Sequence, residues 1–222
     1  LVGRDELLRS TEQALLSLSP PHLLITGASG IGKTAFVQEL IRRQIDAGNL
    51  DHLVWLDRPV SADYVRQSVG AALLPGGSQV SLRDYLLLYR VAVVLDEIET
   101  AAANTEAFGD LLRDLGAALV CLISRSALTI SGVGARLHLT EIAPSDGAAL
   151  VRDALRLRVA LTTDEQREIA RDLYEFVGGN PLALRLAAGL WEDADDWRKL
   201  ETTVEDRLLA RVFAALNDES RR

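Results

Sequence analysis

Residues 22–34 read H-L-L-I-T-G-A-S-G-I-G-K-T. The first five form a short apolar run with the length of a buried strand, and the last eight fit the spacing G-x-x-x-x-G-K-[ST]. Each fixed position has a physical task. Glycines Gly27, Gly30 and Gly32 let the backbone curl, so that successive N–H groups from Gly27 through Ala28, Ser29, Gly30, Ile31 and Gly32 to Ala35 can point at one set of phosphate oxygens. A helix is expected over residues 33–47, stopped by Gly48-Asn49, and its N-terminus aims a partial positive charge at the same anion. Lys33 adds a full positive charge for the β- and γ-phosphates, and Thr34 offers a hydroxyl to Mg²⁺. A chance match to this spacing in a chain of this length is about a one-in-a-hundred event, and the strand-before, helix-after context lowers it further.

Working outward, strands and helices alternate. Helix 4–18 carries Leu7, Leu8, Leu15 and Leu18 on one side and is stopped by Pro20-Pro21. Strands are expected at 22–26, 52–57, 91–95, 118–123 and 136–139. Helices are expected from a cap at Ser61 to about residue 74, over 82–89 and over 104–115. This alternation argues for an α/β layer structure around a five-stranded, mostly parallel sheet. After Thr140 the strands stop, and 144–159, 163–176, 181–191 and 195–211 read as helices. The expected organisation is therefore a nucleotide-binding domain over 1–142, an all-α domain over 143–202, and the start of a further domain over 203–222.

The run V-A-V-V-L at 91–95 is too short for a helix and rich in β-branched residues, and it ends in Asp96-Glu97. Carboxylates at the carboxyl end of a buried parallel strand stand where ligands bind. Asp96 is the expected holder of Mg²⁺, together with Thr34. Glu97 is placed to orient a water for attack on the γ-phosphorus, with Glu99 as a weaker candidate. In P-loop proteins of the additional-strand type another strand lies between the phosphate strand and the Asp-Glu strand, and 118–123 is the candidate. It ends in Ser124-Arg125, and Arg125 is expected to read the γ-phosphate. The Asn-Lys-x-Asp guanine motif is absent, since Lys33 follows Gly32 and Lys199 follows Arg198. Adenine is the expected base, and ATP or ADP with Mg²⁺ the expected ligand.

Composition bounds the partners. The chain has 222 residues, 48% of them hydrophobic and 25% charged, with a net charge of −8. These proportions suit a globular protein able to bury a core without staples. The acidic balance argues against direct nucleic-acid binding by this segment. No apolar run reaches the length of about 20 residues that a membrane span needs, and no secretory signal is visible, so the default location is cytoplasmic. The single cysteine, Cys121, reads as a small buried hydrophobe, and His22, His52 and His138 as structural. The chain has no Met, opens at Leu1 and stops inside a helical pattern, which reads as a piece of a longer protein.

Five segments in this order, L-V-G-R-D at 1–5, G-A-S-G-I-G-K-T, V-A-V-V-L-D-E, L-I-S-R-S at 122–126 and G-N-P-L-A-L at 179–184, resemble the NB-ARC and related STAND-type ATPases. The phosphate loop is shared by many ATPases, whereas the pairing of V-G-R with a later G-N-P-L-A-L is more specific. The resemblance implies that Val2, Gly3 and Arg4 approach adenine, partly through backbone. It implies that Arg125 senses the γ-phosphate, and that Pro181, in a helical lid, packs on the base and ribose. It also implies a switch within a signalling protein: ADP holds a resting state, ATP permits self-association, and hydrolysis is slow. Many relatives carry Asp-Asp where this chain has Asp96-Glu97, which makes this site look more competent for hydrolysis. The family continues into a winged-helix domain, and 203–222 would be its start. Three rival readings remain: a turnover ATPase of the AAA+ type such as a loader of replication machinery, a P-loop kinase, and an interaction module that binds ADP without turnover.

Overall fold

The computed structural model describes residues 1–74, 76, 80–156 and 162–190. The helix expected at 195–211 and the domain start expected at 203–222 lie outside the described residues. The elements are α1 (Asp5–Leu15), β1 (His22–Thr26), α2 (Lys33–Asp46), β2 (His52–Asp57), α3 (Ala62–Leu73), α4 (Leu82–Leu88), β3 (Val91–Asp96), α5 (Thr105–Asp114), β4 (Leu119–Ser124), β5 (Ala135–His138), α6 (Pro144–Arg156), α7 (Thr163–Val177) and α8 (Pro181–Leu190). A short 3₁₀ turn, Ala101–Ala103, leads into α5. Helix α1 is shorter at both ends than residues 4–18, and the strand ends shift by a residue, because register with neighbours decides where a ladder stops.

The described residues fall into two compact units. The first comprises Leu1, Asp5–Ala28 and the described part of 33–139, and the second Val2–Arg4, Ser29–Gly32, 140–156 and 162–190.

In the first unit, five parallel strands lie in the order β2-β3-β4-β1-β5. Strand β4 therefore stands between β1 and β3, as the additional-strand reading expects. Every residue of β3 is buried, which is what a continuous apolar run signals for a strand covered on both faces. Alternation sends Leu24, Val91, Val93, Leu95, Val120 and Leu122 to one side, where they pack with Val65 and Val69 of α3, Leu86 of α4 and Phe108, Leu111 and Leu112 of α5. Residues of the opposite parity, among them Leu23, Ile25, Ala92, Val94 and Cys121, are also buried, and α2 packs on β4 while α1 packs on α2. Cys121 is wholly buried, and loss of water pushes its thiol up to about 12. His22 is buried, with Nδ1 donating to the Gly132 carbonyl at 2.8 Å, and His52 meets the Tyr85 hydroxyl at 3.0 Å. The helices begin on side chains that take up free backbone donors: Ser61 for α3, Ser81 for α4 and Asn104 for α5.

The second unit is helical. Ile142, Leu150, Val151, Leu155, Ile169, Leu173 and Leu184 from α6, α7, α8 and the entering strand-end segment form its core, with Val2 packed at the edge. A reciprocal capping box, Thr162 with Glu165, opens α7. Gly178, at φ 72°, closes it, and a side chain at Gly179 would collide with the Ile142 carbonyl. Among the described residues no helix is long and apolar enough to cross a membrane.

Candidate nucleotide site

The carboxyl ends of β1, β3 and β4 lie side by side in the first unit because the ladder pairs Thr26 with Ser124 and Leu95 with Leu122. Three segments are thereby brought to one edge: the phosphate loop after β1, Asp96-Glu97 at the end of β3, and Ser124-Arg125 at the end of β4.

Asp96 is 7% exposed and Lys33 8%. Thr34, the second residue of α2, donates its hydroxyl to Asp96 Oδ2 at 2.7 Å, and Glu97 N donates to Asp96 Oδ1 at 2.9 Å. Lys33 Nζ donates to the carbonyls of Gly27 and Ala28, each at 2.9 Å. Burial pushes the Asp96 carboxyl above its ordinary range, with hydrogen bonds from Thr34 and Glu97 N opposing and Asp57, its register partner on β2, adding a like-charge push. Burial likewise pulls the Lys33 ammonium down, while Asp96, Glu99 and Glu97 favour its charge and Arg125 opposes it. Both ions thus sit where water is scarce. That is a placement a charged ligand relieves.

Arg125 faces two carboxylates. Its Nη2 lies 3.6 Å from Glu97 Oε2 and its Nε 3.9 Å from Glu99 Oε1. Its backbone N–H donates to Glu99 Oε1 at 2.6 Å, and the buried Ser124 hydroxyl lies 3.1 Å from the same oxygen. Glu97 has φ 53° and Arg58, just past the end of β2, has φ 48°. Left-handed backbone at non-glycine residues costs about 1 kcal/mol or more and clusters at functional sites.

In the second unit, the middle of the loop is held by the turn before α8. Asn180 Nδ2 donates to the Ser29 carbonyl at 2.9 Å, and Leu182 N donates to the Gly30 carbonyl at 3.3 Å. Asn180 Oδ1 in turn accepts from the N–H groups of Leu182 and Ala183, which caps α8. Gly30 has φ 74°, and a side chain there would press on Leu182 at 2.8 Å. Gly32 has φ 96° and open space around it. Ile31 is buried and Ala35, on the first turn of α2, is exposed. Pro181 is the first residue of α8, where its fixed φ suits a helix start. Val2 is half-buried against the helical core. Gly3 has φ 68° beside Asp146, and the Arg4 guanidinium donates to the Thr140 carbonyl with Asp146 nearby.

Lys33, Thr34, Asp96, Glu97 and Arg125 are therefore brought to one edge of the sheet. Sequence reading missed Asn180 as a tie to the loop and Glu99 as a partner of the β4 end. The signals for Asn180 were its place just before a proline at a helix start and its membership of the segment G-N-P-L-A-L. The residues fit Mg²⁺, since Thr34 and Asp96 present hydroxyl and carboxylate oxygens together and Mg²⁺ needs only one or two protein oxygens besides phosphate.

No protein-family model matches the chain, and no curated protein matches it. Solved structures do. A STAND protein with a tetratricopeptide-repeat sensor from Pyrococcus horikoshii aligns with a TM-score of 0.60 at 18% identity, covering 97% of this chain and 32% of that one. Domain III of the Thermotoga maritima replication initiation protein DnaA aligns with a TM-score of 0.53 at 15% identity, covering 95% and 92%. The FIGL-1 AAA domain, solved with ADP, aligns with a TM-score of 0.50 at 17% identity, covering 96% and 81%. At these identities the likeness establishes the fold alone: a parallel sheet with a phosphate-type loop after β1, followed by helices, as in these solved domains. The chain spans about a third of the length of the STAND protein.

Proposed function

We propose that this chain is the ATP- or ADP-binding switch module of a larger signalling or regulatory protein. Residues 1–142 act as its nucleotide-binding domain, 143–202 as its helical lid domain and 203–222 as the beginning of the next. The observation that carries the reading is the buried group of Lys33, Thr34 and Asp96 at the sheet edge. Lys33 and the loop N–H groups would hold the β- and γ-phosphates, and Thr34 and Asp96 would hold Mg²⁺. Bound Mg²⁺ supplies charge neutralisation across the phosphate oxygens. Val2, Gly3 and Arg4, largely through backbone since the Arg4 head is engaged with Thr140, and Pro181 would meet the adenosine part. Arg125 would distinguish ATP from ADP, and the switch depends on that difference in affinity between two states. Self-association in the ATP state, contacts with other domains of the full protein and a cytoplasmic location complete the proposal.

Turnover is the second reading, favoured by Glu97 beside Asp96 at the end of β3. Glu97 would orient the attacking water and accept its proton. Under this reading Glu97→Gln lowers steady-state hydrolysis by at least about 100-fold with ATP binding retained. Under the switch reading hydrolysis is already slow, and the variant changes little.

The deciding experiment denatures purified protein and identifies released nucleotide by chromatography. Stoichiometric ADP supports the switch. Protein that arrives empty and binds neither ATP nor ADP by calorimetry with Mg²⁺ overturns both readings.

A further inference from the structure

We infer that Glu99 is a positioning residue: it fixes the carboxyl end of β4 so that Arg125 stands ready to read a terminal phosphate, and it thereby sets how far the site prefers a nucleoside triphosphate over a diphosphate. The inference rests on the nucleotide-binding reading above and adds a residue to it.

Three observations carry it. The pairing of β3 with β4 stops at Leu95 with Leu122, while β4 continues beside β1 to Ser124. One backbone bond, from Ile98 N to the Ile123 carbonyl at 3.2 Å, ties the two chains just past the ladder. Beyond it, the N–H of Arg125 is taken up by the Glu99 carboxylate at 2.6 Å, with the Ser124 hydroxyl on the same oxygen at 3.1 Å. A side chain from the β3 exit thus does for Ser124 and Arg125 what a further strand residue does elsewhere.

The second observation is charge. A backbone carbonyl would accept the same N–H, but a carboxylate also draws the guanidinium of the residue it anchors. Arg125 Nε lies 3.9 Å from that oxygen and Nη2 lies 3.6 Å from Glu97. Both separations exceed hydrogen-bond length, so the guanidinium is steered without being locked in a bidentate pair. It remains available to a stronger anion.

The third is occupancy. Glu99 Oε1 already accepts the Arg125 N–H and lies within reach of the Ser124 hydroxyl, whose one proton it shares with the Ser126 carbonyl at 2.9 Å, and the side chain is 28% exposed. Its geometry is that of a brace and not that of a group free to orient a water. Glu97, which anchors no β4 backbone group among the described contacts, keeps that role.

The test measures dissociation constants for Mg·ADP and for a Mg-bound non-hydrolysable ATP analogue by calorimetry, in wild type, Glu99→Ala, Glu99→Gln, Arg125→Ala and Glu99→Ala with Arg125→Ala. Glu99→Ala weakens the analogue on the order of tenfold and leaves ADP within about twofold. Glu99→Gln keeps an oxygen for the same two donors and restores most of the loss. The double variant binds the analogue no worse than Arg125→Ala alone, because Glu99 acts through Arg125. An unchanged analogue-to-ADP ratio in Glu99→Ala, or additive losses in the double variant, overturns the inference. Should Glu99→Ala fail to fold, Glu99→Asp replaces it. The carboxylate withdraws by one methylene, so the analogue-to-ADP ratio of dissociation constants rises if placement matters and stays at the wild-type value if it does not. Wild type that binds neither nucleotide defeats the nucleotide-binding reading itself, which is a separate result.

Discussion

Two ions at the sheet edge are held against their preference for water, and their titration makes that measurable. Asp96 has its carboxyl raised above the ordinary 3.8 by burial, then by Asp57, against the bonds from Thr34 and Glu97 N. Between that ordinary value and the raised one, the native state binds more protons than the unfolded state. Stability contributed at this position therefore falls as pH rises through the window, and the cost is fully present above it. Asp96→Asn should accordingly unfold at a higher temperature than wild type near neutral pH in nucleotide-free protein. The gap should close as pH falls toward the ordinary carboxylate value, which thermal scans from about pH 3 to about pH 8 would track; a variant less stable at neutral pH contradicts the burial argument. Lys33 is the mirror case, its ammonium lowered by burial from 10.5, so its cost is present at neutral pH and lifts as pH rises. That Lys33, Thr34 and Asp96 stand close together was legible in the sequence, because motif spacing names residues that lie within a few positions of a strand end. Glu99 and Asn180 were not legible as partners, because each acts on a segment that only strand order or a helix cap brings near, Glu99 on β4 and Asn180 on residues 29–30.

At the scale of the element, the strands were read from runs such as V-A-V-V-L, whose unbroken apolarity states burial on both faces. The helices were read from caps and periodicity. The small displacements at strand ends arise from parallel register, which is a property of the neighbour and not of the strand. Phe108 of α5 is fully buried against the sheet. Phe108→Ala should cost about 3–5 kcal/mol, read from urea unfolding midpoints at constant slope. On α7 the capping box offers a finer test: Thr162→Ala removes the acceptor for Glu165 N and should cost about 1 kcal/mol, whereas Thr162→Ser should lose far less. Equal losses in the two variants would mean that the threonine methyl, and not its hydroxyl, opens that helix.

On the scale of the whole molecule, nucleotide is expected to act as a stabiliser by mass action. ADP with Mg²⁺ at about 100 times its dissociation constant should add roughly 2.7 kcal/mol, which for a chain of this size raises the melting temperature by about 5–10 °C. Lys33→Ala should abolish that shift while the variant still melts cooperatively. A shift that survives the variant would place binding away from the phosphate loop. What the sequence does show is that the strands stop near Thr140, and the second compact unit takes up the chain from there. The assignment of residues 2–4 and 29–32 to the second unit was not legible, since no local pattern at those positions announces which neighbours they keep.

The lone thiol at the centre of β4 has a practical corollary. With Cys121 wholly buried and its thiolate suppressed until about pH 12, the native chain is silent to alkylating reagents. Any cysteine introduced at the surface becomes the one fast-reacting handle, so fluorophores or spin labels can be placed without first removing the natural residue. The slow modification of Cys121 itself then serves as a clock, counting only those openings deep enough to bare the middle of the sheet.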